Sequence, residues 1–370
     1  MAMPKDVVAI SAMDPVYEAP SYVKKAAIRA IQEGGIYTHY VFGKGLLELR
    51  EAIGEYYSKY NVKYGPNEVY VLPGSGPSLR AALTGTLSPG DECIIPDPHF
   101  PLDTNLTDLL GAKAVFVPLR EENNFHIVVD DLRKAVTEKT KMIFITNPNN
   151  PTGTVYTEKE LQGIADVAKE HNLLVVCDEV YNEYLFDGRK HISIAALEGM
   201  KERTLIALSF SKTFAMTGWR LGAVLGPEKL MPKVERGAAG LQTPGFIQKA
   251  GVAALKGPHS YVEEMLRDYQ NIRDFVVSSL NEIPGIKCSK PEATLVVWPN
   301  IRGTGLSSAR LAQLLLEKGR VAVGPGDRFG PNGEGYLRIS FTYKMETLRE
   351  GISRIANTVK SLLAQKAPTA

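Results

Sequence analysis

Ser209-Phe-Ser-Lys-Thr-Phe-Ala-Met-Thr-Gly-Trp-Arg-Leu-Gly222 is the stretch on which the reading of this chain turns. Lys212 follows the apolar run Thr204 to Leu208, which reads as a strand. Taken alone, a lysine after a strand is a solvated loop residue. Its neighbours change that reading. Ser209, Ser211 and Arg220 are donors suited to a phosphate, and Lys212 is an amine set among them. An amine beside a bound phosphate is what a Schiff-base cofactor requires: the lysine bonds an aldehyde carbon while the phosphate anchors the far end.

Working outward, further apolar runs follow one another along the chain and end in residues with chemistry. Glu68 to Leu72 leads into Pro73-Gly-Ser-Gly-Pro77, a glycine-rich turn opening a helix through Leu87. Such a turn presents free N–H groups to an anion. Lys141 to Thr146 leads into Asn147-Pro-Asn-Asn-Pro-Thr-Gly153, and Thr157 to Glu160 forms a capping box for a helix through Glu170. Leu173 to Cys177 ends in Asp178, a carboxylate that is costly at the end of a buried strand unless a cation meets it. This alternation from about Tyr37 to Gly226 predicts a mostly parallel α/β sheet with its ligand at the strands' carboxyl ends. After Ile283 the runs shorten (Thr294 to Trp298, Arg320 to Val323, Tyr336 to Phe341), which fits a smaller α+β unit.

Composition narrows the function classes. The 370 residues carry a net charge of +2 with the signs interspersed, so no nucleic-acid or membrane surface is indicated. The 3 cysteines, Cys93, Cys177 and Cys288, stand far apart, which predicts neither disulfide nor zinc and fits a reducing compartment. No apolar signal core or membrane-length run is present, so a cytoplasmic protein is expected.

The pattern S-x-S-K-x-x-x-x-x-G-x-R-x-G at 209–222 resembles the lysine segment of fold-type-I pyridoxal-phosphate enzymes, in particular the class I/II aspartate and aromatic aminotransferases. The N-P-x-N-P-T-G form, Asp178 placed 34 positions before Lys212, and the Arg338-Ile-Ser340 strand fall in the same order as in that family. The resemblance implies a seven-stranded-type sheet, with residues 36–255 as the large cofactor-binding domain. Residues 1–35 together with 256–370 would form the small one. It implies pyridoxal 5'-phosphate as cofactor. Lys212 would carry it, Asp178 would face the pyridine nitrogen, and Phe100 would stack on the ring. Tyr181 and Asn150 would bond the phenolate oxygen. Ser75, Gly76, Ser209, Ser211 and Arg220 would hold the phosphate, although relatives often carry a longer side chain where Gly76 stands. Arg338 would bind the substrate carboxylate in a bidentate fork, with Asn150 beside it.

Tyr40 falls at the position of a tyrosine that crosses a dimer interface to the phosphate, with Tyr37 as the other candidate, so a homodimer is expected. Thr243 stands where a neighbouring subunit's cofactor is approached. Met13 replaces a glycine; it either packs under its loop or narrows a substrate pocket with Tyr17 and Phe42. His99, beside Phe100, reads as a loop residue without a catalytic partner. The N-terminal helix of many relatives is expected to be missing ahead of Val7.

The implied activity is ping-pong transfer of an amino group from an L-amino acid (aspartate, aromatic or alanine-like) to a 2-oxo acid such as 2-oxoglutarate. A β-lyase of the cystathionine-lyase kind would share every one of these residues. An aminotransferase-like regulator would carry a DNA-binding domain in front. Arg328 and Lys44 are the candidate cations for a distal carboxylate.

Overall fold

The computed structural model describes residue 4 and residues 6–366. The chain enters through a short strand, β1 (Val8–Ala9), and helix α1 (Ser21–Glu33), then α2 (Leu47–Tyr57). Gly34, at φ +71°, ends α1 in the left-handed conformation that glycine adopts without a Cβ penalty. Strands and helices then alternate: β2 (Val69–Leu72), α3 (Ser75–Thr86), β3 (Glu92–Asp97), α4 (Pro101–Leu109), β4 (Lys113–Pro118) and α5 (Val129–Ala135). They continue with β5 (Thr140–Thr146), α6 (Glu158–Glu170), β6 (Leu174–Asp178), β7 (Thr204–Ser209) and β8 (Gly222–Leu225).

These strands form a 7-stranded sheet in the order β2-β8-β7-β6-β5-β3-β4. Neighbours from β7 across to β4 run parallel, whereas β8 is antiparallel to both β7 and β2. The reason lies in the connection. Parallel neighbours need a crossover, usually a helix, but only the turn 210–221 joins β7 to β8, so the chain comes straight back. The expected mostly parallel sheet is therefore present, with its one reversal at the lysine segment.

Both faces of the sheet are covered, which is why its central strands are continuously apolar. Met142 and Phe144 of β5 pack with Leu79 and Leu83 of α3 and with Val234 of α7 (Met231–Gly237) on one face. Ile143 and Ile145, pointing the other way, pack with Leu161 and Ile164 of α6. The capping box of α6 is formed: the Thr157 hydroxyl accepts from the Glu160 N–H at 3.3 Å, and the Glu160 carboxylate accepts from the Thr157 N–H at 2.7 Å.

Beyond α8 (Gly245–Lys256), against which α1 lies, the long α9 (Ser260–Asn281) leads to short strands. These are β9 (Val296–Val297), β10 (Val321–Ala322), β11 (Gly324–Pro325) and β12 (Leu337–Ser340), with α10 (Ser308–Glu317) and the closing α11 (Met345–Lys366). β12 sits between β11 and β9, and β1 pairs in parallel with β10, so the start of the chain completes this second region. Ile10, Val297, Leu311, Ile339 and Leu348 share its core, which reaches Tyr181 and Tyr184 at the edge of the main sheet.

Candidate active site

β5, β6 and β7 end side by side, which brings Thr146, Asp178 and Ser209 to the same edge of the sheet. Over that edge lies a cavity of about 290 Å³ whose wall includes Lys212, Asp178, Tyr181, Asn150, Phe100 and Ser75. Ser209, Ser211, Arg220 and Met13 complete its lining among the sequence candidates. Thus segments separated by most of the chain's length meet around one space.

Lys212 stands in the turn after β7. Burial pulls its amine down to about 8; the Asp14 carboxylate opposes that shift, while Arg338 and Arg220 reinforce it. The ammonium donates to the main-chain carbonyl of Met13. Asp178 is buried and has no basic partner among the described residues. Burial pushes its carboxyl up to about 7, against the pull of the Val180 N–H, which donates to it at 3.2 Å. Glu179 adds a further push in the same upward direction. The Tyr181 hydroxyl donates to the Met13 thioether at 3.0 Å, and burial holds that phenol well above its ordinary range.

Arg338, in the middle of β12, donates to the Asn150 side-chain oxygen at 3.4 Å and to the Ser11 carbonyl at 3.0 Å. Its guanidinium lies 4.6 Å from the Phe329 ring centroid, and its buried Nε has no hydrogen-bond partner. A planar guanidinium with a donor to spare suits a carboxylate.

At the other end of the cavity, α3 starts at Ser75 after Gly74, and no side chain caps its first turn. Uncapped N–H groups at a helix start favour an anion. Gly74 has φ +108°, and a Cβ there would fall 2.6 Å from an Arg220 nitrogen, so a side chain would push the guanidinium away. Arg220 itself adopts φ +57° and donates to the Thr217 carbonyl at 2.9 Å. The Ser209 hydroxyl accepts from the Ser211 N–H at 3.2 Å, which ties that hydroxyl to the start of the turn.

Other candidates lie outside this wall. Gly76 is on α3, and a Cβ there would meet Leu102 at an ordinary 3.4 Å, so packing does not require glycine. Tyr40 and Phe42 are both 76% exposed, with ring centroids 5.8 Å apart. Tyr17 donates to Asp268 at 2.6 Å, Lys44 donates to the Asn67 carbonyl at 2.9 Å, and Arg328 is exposed. The Thr243 hydroxyl is buried without a partner. His99 is in a loop, as read, but buried: it contacts Asp97 at 2.9 Å, faces the Thr104 hydroxyl and stacks on Phe116.

Among the wall residues outside the sequence candidates, two form a polar link. Thr217 donates to Asp14 at 2.6 Å, linking the lysine segment to the loop after β1. Thr217 sits inside the segment that carries Lys212, but Met13-Asp14-Pro15 reads only as a turn.

The arrangement supplies an amine close to neutrality, a buried carboxylate without a cation, a phenol, and a guanidinium suited to a carboxylate. The profile of the aminotransferase class I and II family matches residues 5–355. The aspartate aminotransferase of Pyrococcus abyssi is 42% identical over 96% of this chain and 92% of its own length. The aromatic-amino-acid aminotransferase 2 of Thermococcus litoralis is 40% identical, again over 96% of this chain and 92% of its own. The crystal structure of an aromatic aminotransferase from Pyrococcus horikoshii superposes with a TM-score of 0.92 at 42% identity, covering 97% of each chain. The chain belongs to the class I and II aminotransferases and is an enzyme of amino-group transfer.

Proposed function

We propose that this aminotransferase works with pyridoxal 5'-phosphate held by Lys212, passing the amino group of an L-amino acid to a 2-oxo acid such as 2-oxoglutarate. Class I aminotransferases use that cofactor. The residues present fit it: Gly74 leaves room for Arg220 beside an uncapped helix start, and Asp178 is a buried carboxylate that no basic side chain among the described residues meets. The single observation that carries the reading is that the Lys212 amine and Asp178 share one cavity wall, with Arg338 bonded to Asn150 beside it.

When bound, the cofactor supplies a conjugated ring that accepts electrons from the substrate α-carbon. The rest is the work of this chain's residues. Ser75, Gly76, Ser209, Ser211 and Arg220 grip the phosphate. Phe100 offers a flat apolar face to the ring. Asp178 keeps a negative charge against the ring nitrogen, and Tyr181 and Asn150 donate toward the ring hydroxyl oxygen. Arg338 takes the substrate α-carboxylate. The Lys212 amine, when not bonded to the cofactor, would take the substrate α-proton and hold it for return.

The relatives named for aspartate and for aromatic amino acids support those two donor classes. Met13 in the cavity wall supports an apolar side chain on the donor. Exposure of Tyr40 and Phe42 supports a homodimer in which Tyr40 reaches the partner's phosphate. Residues 36–255 would then be the cofactor-binding unit, and 1–35 with 256–370 the smaller one. The cysteines of the described chain are free and buried, and none of its helices is long and apolar enough to cross a membrane; both fit a cytoplasmic enzyme.

The test is to add pyridoxal 5'-phosphate to cofactor-free protein, read the visible absorbance, then assay a panel of donors against 2-oxoglutarate. A protein that stays colourless overturns the reading.

A further inference from the structure

Few contacts set the plane of the Arg338 guanidinium. One terminal nitrogen donates to Asn150 at 3.4 Å, the other to the Ser11 carbonyl at 3.0 Å, and Nε has no partner. No carboxylate among the described residues pairs with it, and burial disfavours its charge. What faces it is an aromatic ring: its Cζ stands over Phe329, 4.6 Å from the centroid. A buried cation is drawn to such a face, and planar guanidinium groups stack on one.

Strand pairing and a clip place Phe329 there. β11 runs antiparallel to β12 so that Gly324 lies opposite Arg338. A Cβ on Gly324 would meet the Arg338 side chain and the Phe329 ring at 3.5 Å each, so ring and arginine share the space beside that glycine. The chain then turns through Gly326–Phe329 and closes onto the end of β3. There the Phe329 carbonyl accepts from the His99 N–H at 2.9 Å. The fully buried Asp97 carboxylate accepts from the Asn332 N–H at 2.8 Å and from its side-chain amide at 2.5 Å. Gly330, at φ +101°, comes so close that a Cβ would overlap Asp97 Oδ1. On the ring itself, Trp298 packs edge to face with centroids 5.4 Å apart, and Trp298 in turn stacks on Tyr336 at 5.3 Å. A buried ring wedged in this way cannot tilt without breaking those contacts. His99 is the residue before Phe100, whose side chain lines the active-site cavity.

We propose that Phe329 is a positioning residue: its ring face holds the plane of the Arg338 guanidinium for the α-carboxylate of donor and acceptor alike, and its carbonyl ties that setting to the loop carrying Phe100. The assignment rests on the reading above that Arg338 takes the substrate carboxylate.

The experiment compares wild type, Phe329→Leu and protein in which trifluorophenylalanine replaces Phe329, each loaded with cofactor. Leu keeps apolar bulk without a ring, whereas the fluorinated ring keeps the shape and loses the negative face. Phe329→Leu should raise KM about tenfold for every donor with kcat held within about twofold. The fluorinated protein should show about a threefold rise. A side chain that served packing alone would change the melting temperature and leave KM indifferent to fluorination.

The second measurement is calorimetric binding of phenylpropionate, a carboxylate without an amino group, to the same proteins with and without cofactor. Its dissociation constant should follow the KM series. The fluorinated protein decides the matter if Phe329→Leu fails to fold. A wild type that takes up no cofactor sinks the cofactor reading alone, because phenylpropionate binding still reports on Phe329. Equal binding by wild type and Arg338→Lys sinks the premise about Arg338, and the proposal with it. The proposal is also overturned if the fluorinated ring leaves KM and the dissociation constant unmoved, or if the loss in Phe329→Leu falls on kcat alone.

Discussion

The Tyr184 hydroxyl donates to the main-chain carbonyl of Lys212 at 2.8 Å. Tyr184 is fully buried and belongs to the segment after β6 that also carries Tyr181, and β6 itself ends at Asp178. One strand end therefore supplies the carboxylate and the phenol and also steadies the turn that holds the amine. Tyr184→Phe should cost about 1 kcal/mol of stability and lower turnover several-fold. Thermal unfolding and steady-state kinetics together check this, and a stable but fully active variant would deny the tie any role.

Lys212→Ala should abolish the visible band and reduce turnover by about 10²-fold or more. In the wild type, capture of the cofactor aldehyde needs the neutral amine. Burial lowers that amine to about 8, so the capture rate should climb with pH and level off just above that value, well before an ordinary lysine would. Asp14→Asn removes the charge that opposes the shift and should move the plateau to lower pH. Stopped-flow absorbance reads both curves.

Asp178 carries two opposed expectations. Its folded pKa, about 7, lies above the ordinary value of 3.8, so the folded state binds the extra proton between these limits. Stability without cofactor should then fall as pH rises through that window. Asp178→Asn removes the effect, so its melting temperature relative to wild type should rise from pH 5 to pH 8. The same substitution should weaken cofactor binding. A variant neutral in both measurements would remove Asp178 from the proposed role.

Arg338→Lys should lower kcat/KM by about a hundredfold for every donor, because a point charge replaces a planar fork and about two charge-assisted hydrogen bonds are lost. Equal kinetics would mean that another group holds the carboxylate.

Met13→Gly should discriminate between donors. Losing an apolar wall of the cavity should reduce kcat/KM for phenylalanine by about tenfold while leaving alanine within about twofold. Parallel losses for both would show the side chain to be structural.

How much of this was legible beforehand depended on the kind of contact. The chemistry at strand ends was readable because each run of buried apolar residues stops at a residue that such a run would not otherwise tolerate, as β6 does at Asp178. Helix α6 was readable from its local capping pair. The direction of β8 was not, since apolar patterning says nothing of pairing. β4 carries no motif at its end and was passed over. Asp14 was silent for a different reason: its meaning lies in Thr217, far off in sequence, and a lone aspartate in a turn looks ordinary. Likewise, the bond from Arg338 to Ser11 spans 327 positions, a distance at which no local pattern operates.

That last contact has company. Lys212 is engaged by the carbonyl of Met13, Tyr181 by its sulfur, and Arg338 by the carbonyl of Ser11. Any guest that claims these three side chains must first evict the same short loop that follows the polypeptide's opening strand. Admission and dislodgement are one event, and a spectroscopic label near the beginning of the chain would register the guest's arrival.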